Sequence, residues 1–367
     1  MKIAIVHDYL NQLGGAERVV GPLHRMFPEA PIYTTIVDRD QLWPSLADAD
    51  IRPTWMQRLP GLKRHFKRYL PLYPLAIERM DLRAYDLVIS SSSAFAKAAI
   101  TRRDAFHLCY CHTPLRCVWD YDRYVARENL GRLSRAALPP VIDRLRAWDL
   151  ATAARPDLYV ANSRAVADRI RRWYGRESVV LPPPVEVQRH RPGGRAADDY
   201  LIVSRLVPYK RIDLAVTAFT AAGLPLTVIG DGPDRPALEA LAGPTVRFLG
   251  RLPDRAVAEH FARARALIFP GEEDFGITPL EANAAGRPVV AYRAGGALDT
   301  VVQDVTGCFF DSQTPEALLA AVRRSQALPW NPDTLRRHAE SFSEAAFSER
   351  FFELLQRLVG EPLPRAA

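Results

Sequence analysis

The stretch Pro270-Gly-Glu-Glu-Asp-Phe-Gly-Ile-Thr-Pro-Leu-Glu281 is the most informative part of this sequence. It follows a strand-like run, Arg265 to Phe269, turns at a glycine and enters a helix predicted to begin at Pro279, since proline is tolerated in a first helical turn. In α/β proteins, a strand end, a glycine turn and a helix start form a place where anionic ligands bind. Glu273 and Glu281 would lie about 12 Å apart in a continuous helix. That spacing suits a ligand with hydroxyl groups at both ends, such as a nucleotide sugar, although a solvated acidic loop gives the same pattern.

Composition limits the class of protein. A chain of 367 residues predicts two domains, and 48% hydrophobic with 25% charged residues is typical of a soluble globular enzyme. No apolar run reaches the ~18 residues that a membrane-spanning helix needs. The opening residues Met1 to Asp8 read as a short buried strand and not as a signal peptide. We therefore expect a cytoplasmic protein.

The formal net charge of +7 is unevenly distributed. Residues 1–190 carry 29 Lys/Arg against 20 Asp/Glu, whereas the remainder is slightly acidic. The excess peaks in Arg58–Tyr73, where basic residues alternate with Leu, Phe and Tyr. This composition predicts an anionic membrane surface as a partner, at the inner face of the membrane. The alternative is a solvated loop whose apolar residues pack on their own domain. No nucleic-acid-binding motif accompanies the charge.

Four cysteines give no disulfide framework in a chain of this length. Cys109, Cys111 and His112 fit no standard zinc spacing, so we expect buried thiols and no metal site.

Strands alternate with helices in both halves, which predicts parallel sheets covered on both faces. The fold class is therefore α/β, with two doubly wound Rossmann-like domains facing each other across a cleft. We place an N-terminal Rossmann-like domain at 1–184, a linker at 185–199 and a C-terminal Rossmann-like domain at 200–345. A C-terminal helix and tail at 346–367 are expected to pack back on the N-terminal domain.

The second half offers cations just past a strand end. Tyr200–Val203 reads as a buried strand, and Arg205 and Lys210 follow it before the next predicted helix. An arginine can donate two parallel hydrogen bonds to phosphate oxygens, and a lysine adds a mobile charge. Gly230-Asp-Gly232 and Gly295-Gly296 are further turns at strand ends, uninformative singly.

The first half offers polar residues at corresponding places. Gly14 and Gly15 end the first predicted βα turn, where the absence of side chains would let a ligand approach the backbone amides. His112 follows the strand predicted at His107–Tyr110 and is either a structural residue or a ligand contact. Asn162 and Ser163 follow another strand, and Ser163 is also a candidate helix cap.

These pieces, in this order, resemble the retaining glycosyltransferases of family four, which have the GT-B fold. The resemblance covers nearly the whole chain and rests on seven segments: Gly14-Gly-Ala-Glu17, Cys111-His-Thr-Pro114, Asn162-Ser163, Ser204-Arg-Leu206, Lys210, Gly230-Asp-Gly232 and Glu273 through Glu281. The segment His112 to Asp120 is similar to a subgroup of mannosyltransferases of surface polysaccharide assembly.

The resemblance implies a role for each matching residue. Arg205 and Lys210 would hold the donor diphosphate and stabilise the charge of the leaving group. Glu281 would bind the ribose, whereas Glu273 and His112 would contact the transferred sugar. The remaining donor-binding positions would be Gly14, Gly15, Gly230, Phe275, Gly276, Ile277 and Thr278, and the acceptor-side positions Glu17, Asn162 and Ser163.

The implied reaction is transfer of a hexose with retention, without metal or cofactor, from a nucleotide sugar to a saccharide or lipid-linked saccharide. Mannose from GDP-mannose is the leading expectation. A UDP-sugar-dependent glycosyltransferase, a nucleotide-sugar epimerase, a phosphorylase and a non-catalytic binding protein remain alternatives. The missing full glycine fingerprint disfavours a Rossmann oxidoreductase.

Overall fold

The computed structural model describes residues 1–12, 14–121, 132–194 and 197–359. The side chains of Lys63, Arg64, Lys67, residues 132–137 and Val359 lie outside the description. The chain divides into two compact units. We call Met1–Pro183 with the segment from Ser348 the first domain, and Pro184–Phe347 the second domain.

The first domain is built on a seven-stranded sheet with the order β3-β2-β1-β4-β5-β6-β7, and every described strand pair is parallel. The inner strands of the sheet are buried over nearly their whole length, and Leu87–Ser92 is buried throughout, which is typical of a parallel sheet covered on both sides. The strands are β1 Ile3–His7, β2 Ile32–Thr34, β3 Ile51–Pro53, β4 Leu87–Ser92, β5 Phe106–Cys111, β6 Leu158–Ala161 and β7 Ser178–Val180.

Helices cover both faces of this sheet. They are α1 Gly15–Met26, α2 Leu62–His65, α3 Tyr73–Glu78, α4 Arg116–Trp119, α5 Arg132–Thr152 and α6 Arg164–Tyr174. Short 3-10 turns lie at Arg39–Gln41, Pro44–Leu46, Trp55–Arg58, Phe66–Leu72 and Ala96–Ala98.

A buried ion pair ties several of these elements together. Lys97 Nζ lies 3.1 Å from Asp149 Oδ1, with the side chains 2% and 0% exposed. Asp149 Oδ2 also accepts hydrogen bonds from Trp119 Nε1 (2.6 Å) and the Tyr174 hydroxyl (2.8 Å). Removing one member of such a pair would leave a buried charge without its partner.

The second domain repeats the design on a six-stranded parallel sheet with the order β10-β9-β8-β11-β12-β13. Its strands are β8 Tyr200–Val203, β9 Leu226–Ile229, β10 Val246–Gly250, β11 Leu267–Phe269, β12 Val289–Tyr292 and β13 Gly307–Phe310. Its helices are α7 Ile212–Ala222, α8 Arg235–Leu241, α9 Asp254–Arg263, α10 Thr278–Ala284, α11 Ala297–Thr300, α12 Pro315–Ala327 and α13 Pro332–Glu340. Val187–Arg189 and Pro208–Lys210 form 3-10 turns.

The last helix, α14 Glu344–Val359, contributes to the first domain from Ser348 onward. Phe351 and Phe352 pack against Phe27, with ring centroids 6.5 and 5.6 Å apart. Residues 360–367 of the predicted C-terminal segment lie outside the described residues. Within the segment predicted as a linker, Val185 and Val187 are buried beside Leu280 in the second domain. In the described part of the chain, no helix is both long enough and apolar enough to cross a bilayer.

Candidate active site

Each sheet has one point where the strand order reverses, and some of the candidate residues follow the strands beside it. In the second domain, the order runs outward from β8 to β10 and then restarts with β11 on the other side of β8. In the first domain, the same reversal lies between β1 and β4. Open α/β sheets bind ligands outside the carboxyl ends of the strands at this reversal. The segments after β8 and β11, which hold Arg205 to Lys210 and Pro270 to Glu281, are therefore placed to form one site.

Arg205 and Lys210 differ in their surroundings. Arg205 is exposed, and it has no ion pair with any residue in the described ranges. Lys210 ends the 3-10 turn Pro208–Lys210, and its ammonium is paired with the carboxylate of Glu273. These two side chains are only 14% and 19% exposed. The structure thus offers one available guanidinium and one cation already held by the acidic residue predicted to meet the sugar.

Close backbone contacts fix the turn that carries Glu273. A Cβ added to Gly271 would lie 2.7 Å from Lys210 Cα and 2.8 Å from its carbonyl oxygen. The Gly296 amide donates to the Glu273 carbonyl at 2.8 Å, which joins this turn to the loop after β12. Gly271 therefore allows the two loops to approach closely, because any side chain at this position would collide with Lys210.

Residues Phe275 to Thr278 lead into α10. Gly276 has a φ of +83° and lies over the ring of Phe269, so a side chain there would be strained and obstructed. Phe275 is buried against Phe342. Because α10 begins only at Thr278, the 12 Å spacing expected between Glu273 and Glu281 for a continuous helix does not apply.

Glu281 lies in the first turn of α10 and is largely buried, with 13% of its side chain exposed. Its Oε1 is 3.9 Å from Nε2 of His190, a buried residue whose ring meets Phe261 edge-on. Sequence reasoning placed His190 in a linker and missed this neighbour. Gly230, after β9, has a φ of +128°, and an added Cβ would collide with the Ser204 carbonyl oxygen.

A second contact missed from the sequence holds the turn after β11 in place. Arg211 adopts a φ of +51°, which is uncommon for a residue other than glycine. Its guanidinium donates to Gln313 Oε1 at 3.0 Å, and Gln313 Nε2 donates to the Pro270 carbonyl at 2.9 Å. The Gln313 side chain therefore links the loop after β8 to the loop after β11.

In the first domain, Glu17 lies beneath the Gly14–Gly15 turn. Gly14 precedes α1 in an extended conformation, and Gly15 begins the helix. Glu17 is 2% exposed and accepts a hydrogen bond from Gln12 Nε2 at 2.9 Å. Burial raises the pKa of Glu17 to about 7, and the charge of Asp8 acts in the same direction, whereas hydrogen bonds from Gln12 and the backbone oppose the rise. Glu17 therefore supports the glycine turn from inside, and the acceptor-side role expected for it stays a prediction.

Asp8 is a residue of this edge that sequence reasoning missed. It follows β1 and is completely buried. Its Oδ1 accepts from the backbone N–H groups of Phe95 and Ala96, both at 2.6 Å, and its Oδ2 accepts from the amide of Ser93 at 2.6 Å. Asp8 thus ties the end of β1 to the loop after β4 across the reversal point.

His112 is 7% exposed directly after β5 and belongs to a buried hydrogen-bonded chain. Its Nε2 lies 2.8 Å from Ser91 Oγ, and Ser91 Oγ lies 3.1 Å from Nδ1 of His7. Burial, together with His7, lowers the pKa of His112 to about 3, so its ring is neutral at physiological pH. Sequence reasoning found His112 but neither of its two partners.

Asn162 and Ser163 make internal contacts. Asn162 Nδ2 donates to the His112 carbonyl at 3.1 Å. The Ser163 hydroxyl accepts from the Val166 amide at 3.1 Å and donates to Asn162 Oδ1 at 3.1 Å, so Ser163 caps α6. For Ser163, the structure favours the capping alternative, and for Asn162 it adds a contact that orients the loop of His112.

The apolar residues of the basic segment Arg58–Tyr73 pack on their own domain. Leu62 is buried in the first-domain core, and Phe66, Tyr69 and Leu70 are half-buried against it. The Phe66 ring also contacts Tyr9, with centroids 5.6 Å apart. These apolar side chains therefore match the alternative expectation, in which they pack on their own domain. Three of its four clustered cations, Lys63, Arg64 and Lys67, have side chains outside the described residues.

Comparison with known proteins agrees with this architecture. A family model described as Glycosyltransferase Family 4 matches residues 13–189, and one described as Glycosyl transferases group 1 matches residues 194–346. A GDP-mannose-dependent alpha-mannosyltransferase of Mycolicibacterium smegmatis is 32% identical over 216 residues, which cover 55% of each chain. A D-inositol 3-phosphate glycosyltransferase of Geodermatophilus obscurus is 32% identical over 228 residues, covering 52% of this chain and 50% of that protein. The chain thus spans about half the length of these relatives.

Solved structures share the fold over almost the whole chain. Anabaena HepE in complex with UDP aligns with a TM-score of 0.72 at 16% identity, covering 97% of this chain and 100% of HepE. Sucrose-phosphate synthase from Thermosynechococcus elongatus aligns with a TM-score of 0.70 at 17% identity, covering 98% and 100%. The predicted pair of doubly wound domains is confirmed, and the chain belongs to the family-four glycosyltransferases, with the two Rossmann-like domains of the GT-B fold.

Proposed function

We propose that this protein is a retaining, metal-independent glycosyltransferase that moves a hexose from a nucleotide sugar to a saccharide or lipid-linked saccharide. Mannose from GDP-mannose is the proposed donor chemistry. The observation that carries the proposal is the set of residues around the strand reversal of the second domain. There, the exposed Arg205 and the paired Lys210 and Glu273 follow β8 and β11.

These residues suit the chemistry of a diphosphate leaving group. In the proposed reaction, the bond from the sugar C1 to the phosphate oxygen breaks, and the acceptor hydroxyl oxygen bonds to C1 on the same face. The hydroxyl proton passes to the departing phosphate oxygen. Arg205 and Lys210 would stabilise the negative charge that develops on the diphosphate, which preorganised cations can do without a metal.

The acidic residues would bind the two ends of the donor. We assign Glu273, held by Lys210, to hydroxyl groups of the transferred sugar, together with His112 of the first domain. Glu281, largely buried in α10, is assigned to the ribose hydroxyls. Gly14, Gly15, Gly230 and the segment Phe275–Thr278 are assigned to the backbone surface that a donor approaches.

The names of the relatives support GDP-mannose without deciding the donor or the acceptor. The M. smegmatis relative is described as a GDP-mannose-dependent alpha-mannosyltransferase, whereas the G. obscurus relative is described as a D-inositol 3-phosphate glycosyltransferase. HepE, whose likeness concerns the fold alone, was solved with UDP. GDP and UDP donors must therefore be compared directly.

A thermal-shift panel of nucleoside diphosphates and nucleotide sugars, with and without EDTA, tests the proposal. A ligand at 100 times its Kd adds about 2.7 kcal/mol to the free energy of unfolding. We expect GDP and GDP-mannose to raise the unfolding temperature, and EDTA to leave the shift unchanged. Stabilisation by UDP-sugars alone would show that the donor is a UDP-sugar and not GDP-mannose. No stabilisation by any nucleotide would contradict the proposal.

The basic segment Arg58–Tyr73 supports a second, separate part of the proposal, docking on an anionic membrane that presents a lipid-linked acceptor. Because its apolar residues pack inward, the attraction would be electrostatic, at about 1 kcal/mol for each engaged cation. Co-sedimentation with anionic vesicles at two salt concentrations should show salt-sensitive binding. Replacing Lys63, Arg64, Lys67 and Arg68 with Glu should abolish this binding. Salt-independent binding by the wild type, or no binding, would contradict docking.

A further inference from the structure

Ser91 joins two buried histidines into one chain of hydrogen bonds. Ser91 is in β4, His7 ends β1 on the neighbouring strand, and His112 follows β5 on the other side. His7 Nδ1 lies 3.0 Å from the Ser91 carbonyl oxygen and 3.1 Å from Ser91 Oγ. Ser91 Oγ lies 2.8 Å from His112 Nε2. All three residues are buried, so the position of each hydrogen is constrained by its partners.

The Ser91 carbonyl fixes the first hydrogen of the chain. A carbonyl oxygen only accepts, so His7 Nδ1 must carry a hydrogen and donate it. Ser91 Oγ, at 3.1 Å from that same nitrogen, then faces an N–H group and cannot donate back to it. Its own hydrogen has to go elsewhere.

The serine hydroxyl fixes the second hydrogen. If His112 Nε2 also carried a hydrogen, the N–H groups of His7 and His112 would both point at the oxygen of the Ser91 hydroxyl. The hydroxyl hydrogen of Ser91 would then have no acceptor among the described contacts, because His112 Nε2 is the acceptor they offer. A buried donor left without an acceptor destabilises the folded protein. The favoured arrangement therefore has Ser91 donating to an unprotonated Nε2.

The charge state of His112 completes the deduction. Burial lowers the pKa of both histidines, that of His112 to about 3, so both rings are neutral near pH 7. A neutral imidazole carries one ring hydrogen. With Nε2 of His112 accepting from Ser91, that hydrogen is on Nδ1.

We propose that His7 and Ser91 are positioning residues that hold His112 in its Nδ1–H tautomer, so that His112 meets the donor sugar as a hydrogen-bond donor and not as a proton acceptor. The sugar contact rests on the function proposed above, whereas the tautomer does not. In this arrangement, His112 takes no proton from the acceptor hydroxyl through Nε2, and proton transfer falls to the leaving phosphate.

The chain offers a matched control on the same strand. Ser90 Oγ lies 2.8 Å from Nε2 of His107, and both residues are completely buried. Successive strand residues point to opposite faces of a sheet, so Ser90 repeats the serine–histidine pair away from His112. Ser90→Ala therefore removes a buried hydrogen bond of the same kind without touching the proposed chain.

Two measurements on Ser91→Ala, Ser91→Thr and Ser90→Ala test the proposal. The first is ring ¹⁵N NMR of histidine-labelled protein, with the His112 signals assigned through His112→Gln. We expect the Nδ1–H pattern in the wild type and Ser91→Thr, loss of that pattern in Ser91→Ala, and no change in Ser90→Ala. An Nε2–H pattern in the wild type, or an unchanged tautomer in Ser91→Ala, overturns the proposal.

The second measurement is GDP release from GDP-mannose. Loss of one oriented hydrogen bond should lower kcat for Ser91→Ala roughly 10-fold, with recovery in Ser91→Thr and wild-type values in Ser90→Ala. An equal fall of kcat in Ser90→Ala would show that Ser91 contributes only to packing and does not position His112. Should Ser91→Ala not fold, the wild-type spectrum and the kinetics of Ser91→Thr still decide the matter. If GDP-mannose is not a substrate, the tautomer result stands by itself, and only the proposed function fails.

Discussion

Replacement of Lys210 should separate its catalytic role from its structural one. Its ammonium is paired with Glu273, and the two side chains are 14% and 19% exposed. An exposed pair contributes below about 1 kcal/mol, whereas breaking a fully buried pair costs about 3–5 kcal/mol. We therefore expect Lys210→Met to lower the free energy of unfolding by about 1–3 kcal/mol, because it leaves the Glu273 carboxylate without its cation. If Lys210 also stabilises the leaving diphosphate, kcat should fall roughly 10²–10³-fold.

A double variant tells the two effects apart. Lys210→Met combined with Glu273→Gln removes the unpartnered charge, so most of the lost stability should return. Activity should not return, because the cation facing the diphosphate is still missing. Denaturant unfolding and steady-state release of the nucleoside diphosphate measure the two quantities on the same samples. If activity recovered together with stability, Lys210 would have only a structural role, and the assignment to the diphosphate would be refuted.

Three further predictions concern other charged groups. In calorimetric titrations, Glu281→Ala should weaken the binding of free GDP as well as that of GDP-mannose, whereas Glu273→Ala should leave the binding of free GDP unchanged. Equal effects of the two substitutions on GDP binding would contradict the assignment of Glu281 to the ribose. Because the pKa of Glu17 is raised from its ordinary 4.5 to about 7, its contribution to stability is complete below 4.5 and is lost as the pH rises through 7. This contribution is worth up to about 3 kcal/mol, and Glu17→Gln should flatten the corresponding slope in denaturant midpoints. Lys97→Met should destabilise the first domain by about 3–5 kcal/mol in calorimetry, whereas Arg83→Met, at an exposed ion pair, should leave its stability nearly unchanged.

The regular elements of both domains could be predicted because buried strands and glycine turns alternate with amphipathic helices along the chain. The strands predicted at His107–Tyr110 and Tyr200–Val203 are found at Phe106–Cys111 and Tyr200–Val203, where the apolar runs lie. Strands β2 and β3, which were not predicted, are only three residues long and therefore show no period. Helix α5 begins at Arg132 and runs through Pro139 and Pro140, against the usual effect of proline, so its start could not be predicted from the sequence.

The candidate site was only partly predictable. Its chemical residues follow strand ends, and a strand end can be recognised in a sequence. Their partners come from distant positions: His190 lies beside Glu281, Gln313 links two loops, and Ser91 meets His112. Such pairings depend on which strands are neighbours in the sheet, and the order of strands cannot be read from local pattern. For the same reason, the basic segment Arg58–Tyr73 gave no sign of which way its apolar residues point.

Calorimetric titration of GDP-mannose into the wild type and Arg205→Ala examines the proposed donor site itself. Arg205 is exposed and has no ion pair among the described residues, so its replacement should leave the free energy of unfolding nearly unchanged. We expect saturable binding of one GDP-mannose by the wild type. We expect roughly 10–100-fold weaker binding by Arg205→Ala, since a charge-assisted hydrogen bond contributes about 1.5–3 kcal/mol. Equal affinity of the two proteins, or no binding of any nucleotide sugar by the wild type, would contradict a donor site at the ends of β8 and β11.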